Sequence, residues 1–146
     1  KNNTLVHRDF HVSNLIKYKK KLATIDTQDA LIGNRAYDLA SLIDDVRFKS
    51  NKKLKDNIYN YYLKLNDDKV NKVILLNDFE ILSVIRNMKI IGIFARLAER
   101  DKKKMYLKLI PHAWKLIELR MQNNQIFDGL KRVLDINFPK KIRNLK

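Results

Sequence analysis

The sequence predicts a mainly α chain with a small β-hairpin, an α+β class. Three observations carry this. Gly and Pro number only 3 and 2 in 146 residues, too few turn residues for a many-turned sandwich or barrel. Hydrophobic residues make up 45% of the chain, and from Arg35 onward they recur at helical spacing. Before Arg35 they fall instead in short β-branched or apolar runs between polar clusters.

Thr4-Leu5-Val6 is a short strand that ends in a loop at His7-Arg8-Asp9. Leu15 to Tyr18 and Leu22 to Ile25 form two further strands, with Lys19-Lys20-Lys21 as a hairpin tip. Residues 26–34 are polar, and Gly33 is expected to serve a turn. Tyr37, Leu39, Ala40, Leu42, Ile43 and Val46 mark a first helix, and Lys52 to Leu65 a second. Asp67-Asp68 is expected to break the chain or cap a short third helix through Leu76. Asn77-Asp78 should cap a long helix from Phe79 to about Arg100. Lys102 to Leu109 is helical, and Pro111 suits the first turn of the next helix, which carries Trp114, Ile117 and Met121. Asn123-Asn124 starts a last helix to about Leu134, and a basic tail, 139–146, is expected to fray. The whole is expected to form one unit.

The chain carries 31 basic and 16 acidic residues, a formal net charge of +15. Lys outnumbers Arg, and the tail has no interleaved aromatics, so a solvated Lys surface is favoured over nucleic acid as a partner. Without cysteine there is no disulfide framework and no Cys-based metal site. No apolar run is long enough to span a membrane, and no signal peptide is visible, so a cytoplasmic location is the expectation. The chain starts with Lys, and its chemistry begins within a few residues of that terminus. An upstream portion is therefore expected to be missing.

The informative segment is His7-Arg8-Asp9-Phe10-His11-Val12-Ser13-Asn14-Leu15. It matches the H-R-D-x-x-x-x-N catalytic loop of kinases. In that pattern a carboxylate takes the proton of an attacking hydroxyl, and the Asn amide oxygen at the end of the loop reaches Mg²⁺. A second metal carboxylate should follow the next hairpin, and Asp26 stands there. Mg²⁺ asks for hard oxygen donors, few of them from protein.

Three strings together resemble the aminoglycoside phosphotransferase and choline kinase superfamily, which has a protein-kinase-like fold. They are Leu5-Val6-His7-Arg8-Asp9-Phe10-His11-x-x-Asn14-Leu15, then Ile25-Asp26-Thr27-Gln28-Asp29-Ala30-x-x-Gly33, then Tyr37-Asp38-Leu39-Ala40-Ser41-Leu42. The second string, with Arg86-Asn87-x-Lys89-Ile90-x-Gly92-x-Phe94-Ala95-Arg96-Leu97 and Ile110-Pro111-x-x-Trp114, is similar to bacterial kinases of cell-wall recycling. Those act on the anomeric hydroxyl of N-acetylmuramate and N-acetylglucosamine. The resemblance implies the carboxy-terminal lobe of such an enzyme, with ATP or another nucleoside triphosphate as donor, Mg²⁺ as cofactor and a sugar as acceptor. It implies Asp9 as base or orienter, and Asn14 and Asp26 as Mg²⁺ ligands. His7 and Arg8 would shape the loop, with Asp38 bracing the helix beneath. His11 and Asp29 are candidate acceptor contacts. Residues 1–34 would hold the catalytic and metal loops, and 35–138 the acceptor-binding helices.

Arg86 and Arg96 are further acceptor candidates, about 80° apart on a helical wheel, although a solvent-exposed face for both is slightly favoured. No Gly-rich phosphate loop and no strand Lys with a Glu partner are identifiable. The amino-terminal lobe therefore reads as absent, and the chain alone is expected to be inactive. Two alternatives stay open. One is an aminoglycoside or choline acceptor, which would call for an acidic pocket or an aromatic cage. The other is a non-catalytic basic module that binds nucleic acid or acidic partners.

Overall fold

The computed structural model describes residues 3–66 and 70–144, so the expected break at Asp67-Asp68 lies outside the described residues. The chain divides into two compact units, Lys1–Leu82 and Ser83–Lys146.

In the first unit, β1 (Thr4–Val6) pairs antiparallel with β4 (Leu31–Gly33), Thr4 facing Gly33 and Val6 facing Leu31. β2 (Leu15–Tyr18) and β3 (Lys21–Thr24) form the expected hairpin, with Leu15 opposite Thr24 and Tyr18 opposite Lys21. Lys21 belongs to the strand, so Lys19-Lys20 alone make the turn, and Lys19 sits at φ 53°. The β4 strand corrects the expected polar loop, and Gly33 does not serve a turn. A Cβ at Gly33 would lie 3.2 Å from Val6 Cγ2 and 3.2 Å from Leu31 Cδ1, so the glycine lets β4 approach the buried Val6 closely.

α1 (Ala36–Ile43) opens where Asn34 Oδ1 accepts the Ala36 amide at 2.9 Å. It stops at Ile43, so Val46 lies beyond the helix, although it is fully buried. α2 (Lys52–Leu65) has the expected bounds and is capped by Asn51, whose Oδ1 accepts from Leu54 N at 2.9 Å. The core of this unit joins Ala36, Leu39, Ala40 and Ile43 of α1 to Leu75 and Phe79, with Ile58, Tyr59, Tyr62 and Leu63 of α2 packed against it. At the end of α1 the buried Lys55 Nζ donates to Asp44 Oδ1 at 2.7 Å and to Ile43 O at 2.6 Å.

α3 (Lys72–Glu99) is one helix where the sequence suggested two. Its cap is Asn71, whose Oδ1 accepts from Val73 N at 3.0 Å and Ile74 N at 3.1 Å. Asn77 and Asp78 lie inside it, and Asp78 Oδ2 accepts from Asn34 Nδ2 at 2.7 Å instead of capping. Residues 72–82 belong to the first unit and 83–99 to the second.

The second unit continues with a 3₁₀ segment (Lys104–Leu109), α4 (Ile110–Met121), a 3₁₀ turn (Gln125–Phe127), α5 (Asp128–Asn137) and α6 (Lys140–Arg143). Pro111 stands in the first turn of α4 as expected. Asn124 Oδ1 accepts from Ile126 N at 3.1 Å and so starts the next segment. Val84, Phe94, Ala113, Trp114, Leu116 and Ile117 are buried here. The expected frayed tail is a correction. Residues 140–143 are helical, and Arg143, only 3% exposed, donates to Glu118 Oε1 at 2.9 Å, Asp135 Oδ1 at 2.6 Å and Phe138 O. A buried guanidinium with two carboxylates holds a segment that composition alone marks as loose.

Candidate active site

The loop after β1 is held from below by one carboxylate. Asp38 stands in the first turn of α1, where the helix dipole favours a negative charge. Its Oδ2 accepts from His7 N at 2.7 Å and its Oδ1 from Arg8 N at 3.0 Å. Both donors are backbone amides immediately before Asp9. Arg8 carries φ 74°, a left-handed conformation that non-glycine residues adopt at a cost. The paired hydrogen bonds to Asp38 hold the chain in it.

Beyond Asp9 the loop closes on itself. Asp9 O accepts from His11 N at 3.0 Å and from Asn14 Nδ2 at 2.9 Å, and Asn14 N bonds His11 O at 2.9 Å. A 3₁₀ turn at Val12–Asn14 delivers Asn14 to the start of β2. Because the Asn14 amide nitrogen is committed to Asp9 O, its oxygen is the group left to accept or to coordinate.

Two bonds join this loop to the end of β3. Ile25 N donates to Asn14 O at 3.1 Å, and His7 Nε2 lies 3.0 Å from Ile25 O. The His7 ring also meets Phe10 edge-on at 5.9 Å between centroids. Asp26 follows at φ 66°, the second strained non-glycine residue of the site. Its carboxylate is exposed, and its Oδ1 accepts from Gln28 Nε2 at 2.5 Å. Arg8 Nη1 reaches Asp29 O at 3.4 Å. His7, Arg8, Asp9, Asn14, Asp26, Asp29 and Asp38 thus form one hydrogen-bonded loop cluster within the first unit.

The remaining candidates fall elsewhere. His11 is nearly buried, at 9% exposure. Arg86 and Arg96 belong to the second unit. Arg96 is exposed, as favoured, but Arg86 is only 4% exposed, which corrects the expectation of a solvent-facing pair. Gln28 is the contact that sequence reasoning passed over. It lies inside the string Ile25-Asp26-Thr27-Gln28-Asp29, and a polar side chain two residues after a candidate ligand was the available signal.

Among the described residues no group of three or more His, Cys, Asp and Glu could hold a metal ion. An amide oxygen at Asn14 and a carboxylate at Asp26 are nevertheless hard donors. Two protein ligands beside phosphate and water fit the habit of Mg²⁺.

Short strand pairs leading into a mainly helical chain, with this loop at their junction, are the features of the mainly α lobe of a kinase-like fold. The phosphotransferase enzyme family matches residues 1–71, and the chain belongs to that family. It is 30% identical over 118 residues to the N-acetylmuramate/N-acetylglucosamine kinase of Caulobacter vibrioides, covering 77% of this chain and 32% of that protein. To the proteins of that name from Neisseria meningitidis and Pseudomonas aeruginosa it is 36% identical over 111 residues and 32% identical over 119. Those matches cover 73% and 77% of this chain, and 33% and 35% of the relatives. The chain spans about a third of the length of these relatives.

Proposed function

We propose that this chain is the acceptor-side lobe of a sugar kinase that moves the γ-phosphoryl group of ATP to the anomeric hydroxyl of N-acetylmuramate or N-acetylglucosamine. The observation that carries it is the braced loop Asp9–Asn14, bonded to the strand end that presents Asp26. The names of the relatives supply the acceptor.

In this reading Asp9 accepts the proton of the acceptor hydroxyl and orients its oxygen. Asp38 holds the backbone before Asp9, so the carboxylate needs no reorganisation when the substrate arrives. Asn14 Oδ1 and Asp26 would hold Mg²⁺, which when bound neutralises charge on the phosphates. Gln28 orients the Asp26 carboxylate, and His7 ties the two loops together. His11, Asp29, Arg86 and Arg96 remain candidate acceptor contacts. Residues 1–34 carry the catalytic and metal loops, 35–138 the acceptor-binding helices, and the nucleotide clamp is supplied by residues outside 1–146.

The test uses the polypeptide that carries this segment at the full length of its relatives. Asp9→Asn should lower kcat for N-acetylmuramate phosphorylation by about 10²–10⁴-fold. KM for both substrates and the melting temperature should hardly move. A variant with parental turnover would remove Asp9 from the chemistry. Turnover with an aminoglycoside or choline, but with neither amino sugar, would reassign the acceptor.

A further inference from the structure

A second concave site lies apart from the loop cluster, wholly within the second unit. It is a cavity of about 510 Å³ walled by Ile91 of α3 and by Pro111 and Trp114 of α4. Phe138 and Ile142, on either side of the start of α6, close one flank. That volume falls in the range of small-molecule sites, which are mostly apolar with a few polar groups that fix orientation.

The polar groups here are of one sign. Lys104 and Lys108 line the cavity, no acidic residue does, and neither ammonium has a partner among the described residues. Two unneutralised ammonium groups beside an apolar cavity complement an anion carried on an apolar body. The flank is built to stay in place. Arg143 lies 5.1 Å over the Trp114 ring and holds Glu118 and Asp135, and Phe138 packs on Trp114 at 5.5 Å between centroids.

We propose that this cavity binds a small amphiphilic carboxylate, its alkyl body against Trp114, Ile91 and Ile142 and its head group at Lys104 and Lys108. The inference does not depend on the kinase reading.

Trp114 is the only tryptophan of the chain, so its fluorescence reports occupancy directly. The chain is titrated below micellar concentrations with decanoate, decanol and decyltrimethylammonium. Decanoate should give a saturable change and bind about tenfold more tightly than decanol, the worth of one charge-assisted contact. The cationic amphiphile should not saturate. The double variant Lys104→Glu/Lys108→Glu should reverse the order of the charged probes. Ile142→Asn, at a half-exposed position, should weaken decanoate and decanol binding alike while circular dichroism stays unchanged. No saturation with decanoate, equal affinity for decanol, or a double variant that binds decanoate like the parent would each overturn the proposal.

Discussion

Single residues set the site's geometry, and two of them are open to decisive substitution. Asp38 offers both carboxylate oxygens to consecutive amides, at 2.7 and 3.0 Å. In Asp38→Asn one oxygen becomes an amide NH2 group, a donor facing a backbone N–H donor. We expect a loss of about 1–3 kcal/mol in chemical denaturation. On the proposed function, turnover of a polypeptide carrying this segment at its relatives' full length should fall as well, by about 10²-fold, because Asp9 is no longer held. This separates bracing from chemistry, since Asp9→Asn should cost turnover alone. Tyr62 packs against the core near Arg35 and Asp38. Burial raises its pKa, Arg35 opposes the shift and Asp38 adds to it. A raised acid keeps its proton longer in the folded state than in the unfolded one. Its contribution is therefore complete below the unfolded value of 10.0 and is lost as pH rises through the higher folded value. Stability of Tyr62→Phe should then fall less steeply above about pH 10 than that of the parent chain. Matching slopes in the two denaturation series would remove this assignment.

At the scale of elements, local chemistry was legible and long-range pairing was not. α2 was readable because Asn51 caps it and nothing in its interior interrupts. β4 was not, because its three residues are strand only through pairing with β1, and their local context is polar. The division expected at Asn77-Asp78 failed for a related reason. Asp78 is drawn to Asn34, 44 positions away, a contact that no local window contains. Arg143 is the same lesson at the other end of the chain, since composition cannot report Glu118 and Asp135 waiting for it. In the site, Asp9, Asn14 and Asp26 were visible because their spacing is itself a motif, whereas the role of Gln28 needed coordinates. The β2–β3 hairpin offers a test of its own. Lys19 holds φ 53° at the first position of a two-residue turn, where glycine pays no steric penalty. Lys19→Gly should raise stability by about 0.5–1 kcal/mol in thermal denaturation of the chain. A fall in melting temperature would mean that the strain is not borne there.

At the scale of the whole molecule, the chain carries the proposed base, Asp9, and the proposed metal donors, Asn14 and Asp26, but spans about a third of its relatives' length. Its sequence contains no Gly-rich loop, and among the described residues no strand lysine pairs with an acidic side chain. On the proposed function, residues 1–146 alone should show no phosphoryl transfer from ATP above the uncatalysed background. Isothermal titration should detect no tight ATP binding to them either. Micromolar affinity would mean that the nucleotide is held by these residues after all. Two of the basic side chains behind the net charge of +15, Lys104 and Lys108, line an apolar cavity in the second unit.

The grip of Asp38 on the loop also bears on how such a site drifts through evolution. It recognises main-chain amides, not the side chains of residues 7 and 8. Every residue except proline brings such an amide. Heredity can therefore rewrite position 8 and keep the loop's shape, provided the new residue tolerates its left-handed backbone, whereas His7 is also held through its ring at Ile25 O. Position 38 has no such freedom, since only a short side chain with two acceptors spans both amides. Among descendants of this sequence, variation should accumulate at position 8 while the brace itself stays unchanged.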